Sequence, residues 1–130
     1  MIRSAEASGP YDSDGIGGAM YTSVHHYSVD AERVDEFMHR LDEKLAPRLE
    51  KMPGFLAYQA IDAGVDRAGQ GTVFAVTVCR DRDTADRSAE VAAEFVRGEL
   101  ADMEVDLFES ATGAVGVNRA VSDVLEAAHT

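Results

Sequence analysis

The chain has 130 residues, 45% hydrophobic and 28% charged, the make-up of one globular domain that removes roughly two thirds of its unfolded surface from water. Twelve Lys and Arg face 24 Asp and Glu, a formal net charge of -12. This excludes nucleic acid and anionic membrane surfaces as main partners, because both demand clustered cations. No apolar run reaches the about 20 residues of a membrane span. The single cysteine, Cys79, excludes an internal disulfide and a Cys-based zinc cluster. One thiol in the whole chain fits a reducing compartment, so a cytoplasmic location is expected.

Residues 1–19 hold no apolar h-region and are rich in Gly, Ser and Asp, which reads as a flexible tail rather than a signal peptide. Tyr21 to Val29 is dominated by β-branched and aromatic residues and predicts a strand. Asp30 can cap the helix that follows. Val34, Phe37, Met38, Leu41, Leu45, Leu49 and Met52 form one stripe of period 3.6. Pro47 falls inside this stripe and should kink the helix or restart it, and Pro53-Gly54 should end it. Phe55 to Ile61 predicts a second strand, Asp62 to Gly71 a loop, and Thr72 to Arg80 a third strand, paired with the second as a hairpin. Asp83 is the expected cap of a second helix whose inward stripe runs from Ala85 through Ala92, Phe95 and Leu100 to Met103. Thr112 to Asn118 predicts a last strand, and 121–128 a short terminal helix.

The order β-α-β-β-α-β predicts an α+β, ferredoxin-like split arrangement. Both helices lie on one face of a four-stranded antiparallel sheet. The folded domain is expected over residues 20–119, with 120–130 as a short extension. The strand Val73 to Cys79 is apolar on both faces, whereas a half-solvated sheet should alternate. A second copy related by a two-fold axis is the simplest cover, so a homodimer is expected.

This pattern resembles the dimeric α+β barrel superfamily, and within it the antibiotic biosynthesis monooxygenase-like domains. The residues that carry the resemblance are the strand Tyr21–Val29 leading into Asp30–Phe37, the Met52-Pro53-Gly54-Phe55 turn, and the strand Thr72–Arg80 followed by a helix. The resemblance implies a barrel closed by two sheets, with a small-molecule pocket between sheet and helices in each subunit. It also implies cofactor-independent oxygenation of a small aromatic or polyketide-like phenol, and no cofactor is expected. The alternatives are a non-catalytic dimeric module that binds a small apolar ligand, and a haem-degrading monooxygenase. Quinone-forming members of the family use a first-strand Asn with a Trp and an Arg. This chain has no Trp, and its one Asn is Asn118. Counting back from Phe37 puts His25 within a residue or two of the family's Asn.

His25 and His26 are adjacent on a strand and point to opposite faces, so they cannot chelate one metal together, and no metal is expected. Packing is the commoner role of such histidines. The functional alternative makes His25 the catalytic base, since a neutral imidazole accepts a proton near pH 7. Tyr27 would share its face, and Tyr58, mid-strand, could donate a phenol hydrogen bond. Arg80 and Asn118, at strand ends, complete the candidate substrate-binding set, with ordinary ion pairing the competing role for Arg80. Cys79 reads as a buried, inert thiol. Residues 81–109 hold ten acidic residues against Arg82, Arg87 and Arg97, and read as a solvated helix face, because no calcium-loop spacing is present.

Overall fold

The computed structural model describes residues 20–119. The expected tail 1–19, the extension 120–130 and the terminal helix 121–128 lie outside the described residues. The elements run in the order β1 (Tyr21–Asp30), a 3-10 turn (Ala31–Arg33), α1 (Val34–Arg40), a π-turn (Leu41–Leu45) and α2 (Ala46–Glu50). There follow β2 (Phe55–Val65), β3 (Gln70–Cys79), α3 (Arg82–Glu99), a 3-10 turn (Ala101–Met103) and β4 (Asp106–Ala114). The sheet is four-stranded, in the order β2-β3-β1-β4, and every pairing is antiparallel. The chain therefore has the α+β ferredoxin-like fold.

Alternation sorts the two sheet faces. On β1, Ser23, His25, Tyr27 and Val29 are buried beneath the helices, and on β3 so are Val73, Ala75, Thr77 and Cys79. Phe37, Leu41, Leu45 and Leu49 descend onto this face from one helical layer, and Ala92, Phe95 and Leu100 from the other. The opposite face carries Val24 and His26 of β1 and Phe74, Val76 and Val78 of β3, all half-buried. It continues through Ile61 of β2 and Phe108 of β4, 45% and 61% exposed. Nothing in the described chain covers it.

The Pro47 effect takes a specific form. Proline has no N–H to give the carbonyl one α-turn back, and its ring crowds that carbonyl. The helix widens just before it into a π-turn, in which the Ala46 N–H reaches the Leu41 carbonyl, and then resumes with Pro47 in its first turn. The Pro53-Gly54 turn pins β2 to α3. The Pro53 carbonyl accepts the Thr84 hydroxyl at 3.0 Å, and the Gly54 carbonyl accepts the Arg80 N–H at 2.8 Å. Gly54 has a φ of +96°, and a Cβ there would stand 2.8 Å from Thr84 Oγ1, so both backbone conformation and space require glycine.

Three sequence expectations are corrected. The hairpin is longer than predicted. β2 runs on to Val65 and β3 starts at Gln70, leaving a four-residue turn in which Asp66 Oδ1 accepts from the N–H groups of Ala68 and Gln70. Asp62 to Val65 are exposed, so they carry no buried alternation to read. The cap of α3 is Asp81, not Asp83: Asp81 is extended, and its carboxylate accepts the Thr84 N–H at 2.7 Å. The last strand is Asp106–Ala114, not Thr112–Asn118. It is an edge strand bonded to β1 alone, and a bulge opposite His26 and Tyr27 breaks its period.

The ten acidic residues of 81–109 are all exposed, as expected. Asp102 accepts from Arg33 and Arg40, which also hold Glu36, and so it ties α1 to the turn after α3. These arginines hold the Asp102 carboxyl at about 2, well below its ordinary range. Arg48 pairs with Glu99 and lies over the Phe95 ring.

Candidate active site

The helix-facing side of the sheet concentrates the titratable rings. His25 is 5% exposed and stacks on Tyr27, with centroids 5.9 Å apart. Tyr27 is 2% exposed and meets Phe37 edge-on at 5.6 Å. Burial lowers the His25 pKa from 6.5, so its imidazole is neutral at pH 7 and can accept a proton. Burial pushes the Tyr27 phenol up to about 12. The Tyr58 phenol is pushed up further, by burial and then by Tyr27 nearby, so both phenols are donors at neutral pH. The Tyr58 hydroxyl is buried and has no hydrogen-bond partner among the described residues. Such an atom carries an unmet demand of about 1–3 kcal/mol.

Tyr58 lies on the wall of a groove of about 620 Å³ between the α1–α2 layer and the edge strand β2. Met38, Leu41 and Ala46 form its helical side, and Phe55, Leu56 and Ala60 much of its strand side. Asp42, on the π-turn, and Glu50, at the end of α2, are its two ionisable carboxylates. The size falls within the range of small-molecule sites. His25 is not in the lining. It stands in one cross-sheet row with Ala75 and Ala60, and Ala60 lines the groove. Two strand spacings place His25 roughly 10 Å from that wall across two alanines.

The structure thus brings together His25, Tyr27 and Tyr58 on one face, but not the other candidates. Arg80 is exposed at the end of β3, outside the groove lining. Asn118 is exposed and irregular, four residues beyond the end of β4, because the strand expected to carry it ends at Ala114. Sequence reasoning missed Asp42 and Glu50. The available signal was two acids beside the apolar stripe at Leu41 and Leu49. His26 faces the other way, stacked on Phe74 at 4.6 Å and edge-on to Phe108 at 5.2 Å. Cys79 is fully buried, and burial raises its thiol pKa, as its inert reading requires. No group of three or more potential metal ligands occurs among the described residues, and no helix among them is long and apolar enough to cross a membrane.

Fold and groove define a small ferredoxin-like protein with a ligand-sized site between sheet and helices. The family model for antibiotic biosynthesis monooxygenases matches residues 20–90, more than half of the chain, and the chain belongs to that family. No curated protein matches it. Among solved structures, HapK from Hahella chejuensis is similar at 19% identity and a TM-score of 0.60, over 78% of this chain and 99% of that one. A dimeric ferredoxin-like protein from an uncultured marine organism is 16% identical with a TM-score of 0.59, over 79% and 99%. MupZ from Pseudomonas fluorescens is 15% identical with a TM-score of 0.57, over 72% and 69%. Such identities speak for the fold.

Proposed function

We propose that residues 20–119 form a cofactor-independent monooxygenase that oxidises an aromatic or polyketide-like phenol in the groove above β2. The groove itself, with Tyr58 in its lining and the Tyr58 hydroxyl buried without a partner among the described residues, carries this reading. The hydroxyl can donate to a ligand oxygen once binding uncovers it. The substrate supplies the electrons: loss of a proton makes its ring carbon electron-rich, that carbon reduces dioxygen, one oxygen atom stays as a carbonyl and the other leaves as water. His25, neutral and buried behind Ala75 and Ala60, does not reach a ligand in the groove directly and takes the role of an orienting group, stacked on Tyr27. Oxygen uptake with an anthrone-type phenol tests this. The wild type should consume oxygen and form the quinone, and His25→Ala should lower the rate. Uptake no faster than buffer, or an unaffected His25→Ala enzyme, removes the proposal. A non-catalytic binding module is the second reading, supported by the absence of His25 from the groove lining. It requires binding without oxygen uptake.

The working unit proposed is a homodimer in the cytoplasm. The open sheet face, with Phe74, Val76, Ile61 and Phe108, is the surface that a second copy would cover, and the marine relative is described as dimeric. The lone buried thiol, Cys79, suits a reducing compartment.

A further inference from the structure

The groove is charged in one sense. Its lining holds Asp42 and Glu50 and no Lys, Arg or His. Neither carboxylate has an ion-pair partner within 4.0 Å among the described residues, whereas Glu36 on α1, Glu99 at the end of α3 and Asp102 in the turn after it are all paired. The π-turn forced by Pro47 carries Asp42, and Glu50 lies eight residues on, about 12 Å along the helical layer. The rest of the lining is mainly apolar and aromatic, with Phe55 and Tyr58 on the strand side. The one arginine suggested for anion binding, Arg80, lies outside the lining. The whole chain adds a field of formal charge -12.

We infer that this groove takes a planar aromatic ligand bearing a basic nitrogen, with the rings on the apolar wall and the ammonium held by Asp42 or Glu50. An anionic ligand would enter an acidic, cation-free groove on an acidic protein and meet repulsion at each step. An ammonium gains from either carboxylate and from the faces of Phe55 and Tyr58. A protonated amine also compensates the negative charge that develops when a phenol on the same molecule loses its proton. This rests on the groove being the site, and deepens that reading by naming the substrate class.

Three naphthalene probes of matched size, bearing an aminomethyl, a hydroxymethyl and a carboxyl group, separate the terms in the full-length protein. Affinities are read by calorimetry at low and at physiological salt. The cationic probe should bind about three- to tenfold more tightly than the neutral one at low salt, and the anion more weakly than both. The cation's advantage should shrink with added salt. It should also disappear in Asp42→Asn/Glu50→Gln, with the neutral probe's affinity unchanged; both side chains are exposed, so the variant should fold. Equal binding of the three probes, or a cation preference that survives the double variant, overturns the charge inference while leaving the groove reading intact. Binding by none of the probes removes both. Failure of the oxygenase reading alone would appear as selective binding without oxygen uptake.

Discussion

Replacing Tyr58 by Phe should stabilise the free protein while weakening its hold on a phenol. The ring sits half-buried on β2, but its hydroxyl is sealed from water and lacks a partner among the described residues. A buried hydroxyl without a partner costs about 1–3 kcal/mol relative to a satisfied one. Phenylalanine keeps the ring and its contacts and removes only the oxygen, so a gain of about 1 kcal/mol is the minimum expected. For a domain of this length that raises Tm by about 4 °C or more. Thermal unfolding followed by calorimetry and by circular dichroism measures it, and titration with an anthrone-type phenol measures the second half. The two effects should have opposite signs, because the same unmet donor that destabilises the empty protein would serve a ligand whose binding uncovers it. A Tyr58→Phe protein that melts at or below the wild-type temperature refutes the reasoning, for it would mean that the hydroxyl is already satisfied.

Other outcomes follow from the packing and the titrating groups. A Cβ at Gly71 would lie 2.4 Å from Val34 Cγ2 and 3.2 Å from the Val29 carbonyl oxygen. Gly71→Ala should therefore cost about 1–3 kcal/mol, visible as a lower urea midpoint, and adding Val34→Ala should recover part of it; an unchanged midpoint contradicts this packing. Phe74→Glu places a charge in the middle of the open sheet face. Light scattering should then report a particle of 14.0 kDa where the wild type reports twice that, and an unaltered dimer would move the interface elsewhere. Because the folded His25 pKa lies below 6.5, the unfolded chain binds the proton more readily. Stability is then full above pH 6.5 and falls as pH drops from 6.5 toward the folded value. His25→Gln should flatten that slope in a pH series of urea melts, and an equal slope in both proteins would contradict the assignment.

The elements that bury one face were legible. Alternation in β1 put His25 and Tyr27 on one face without saying which face is buried. The stripe from Val34 to Leu49 named residues that the structure packs against the sheet, and the two-faced apolar run Val73–Cys79 announced an uncovered sheet face. The elements that touch solvent on both sides were not. Asp62–Val65 extends β2 with exposed residues, and β4, bonded along one edge, bulges where Phe108 and Glu109 meet His26, so period 2 never builds up. The cap was misplaced by two residues because Asp81 and Asp83 are equivalent in composition; only the extended backbone of Asp81 separates them. At the site, Tyr58 could be picked as a mid-strand phenol. Its lack of a partner depends on what the helices bring over it. Arg80 and Asn118 looked alike as strand-end polar groups, and topology sent both away from the groove. Asp42 enters the site through a π-turn set by a proline five residues later, a coupling that a regular helix pattern hides.

The decisive measurement is oxygen uptake by the full-length protein with an anthrone-type phenol, compared with an Ala60→Trp variant that fills the groove from its strand wall. One oxygen molecule consumed per quinone formed by the wild type, and none above buffer by the filled variant, is the expected result. Uptake that persists at the wild-type rate with the groove filled, or no uptake by the wild type, would contradict a groove-centred oxygenase.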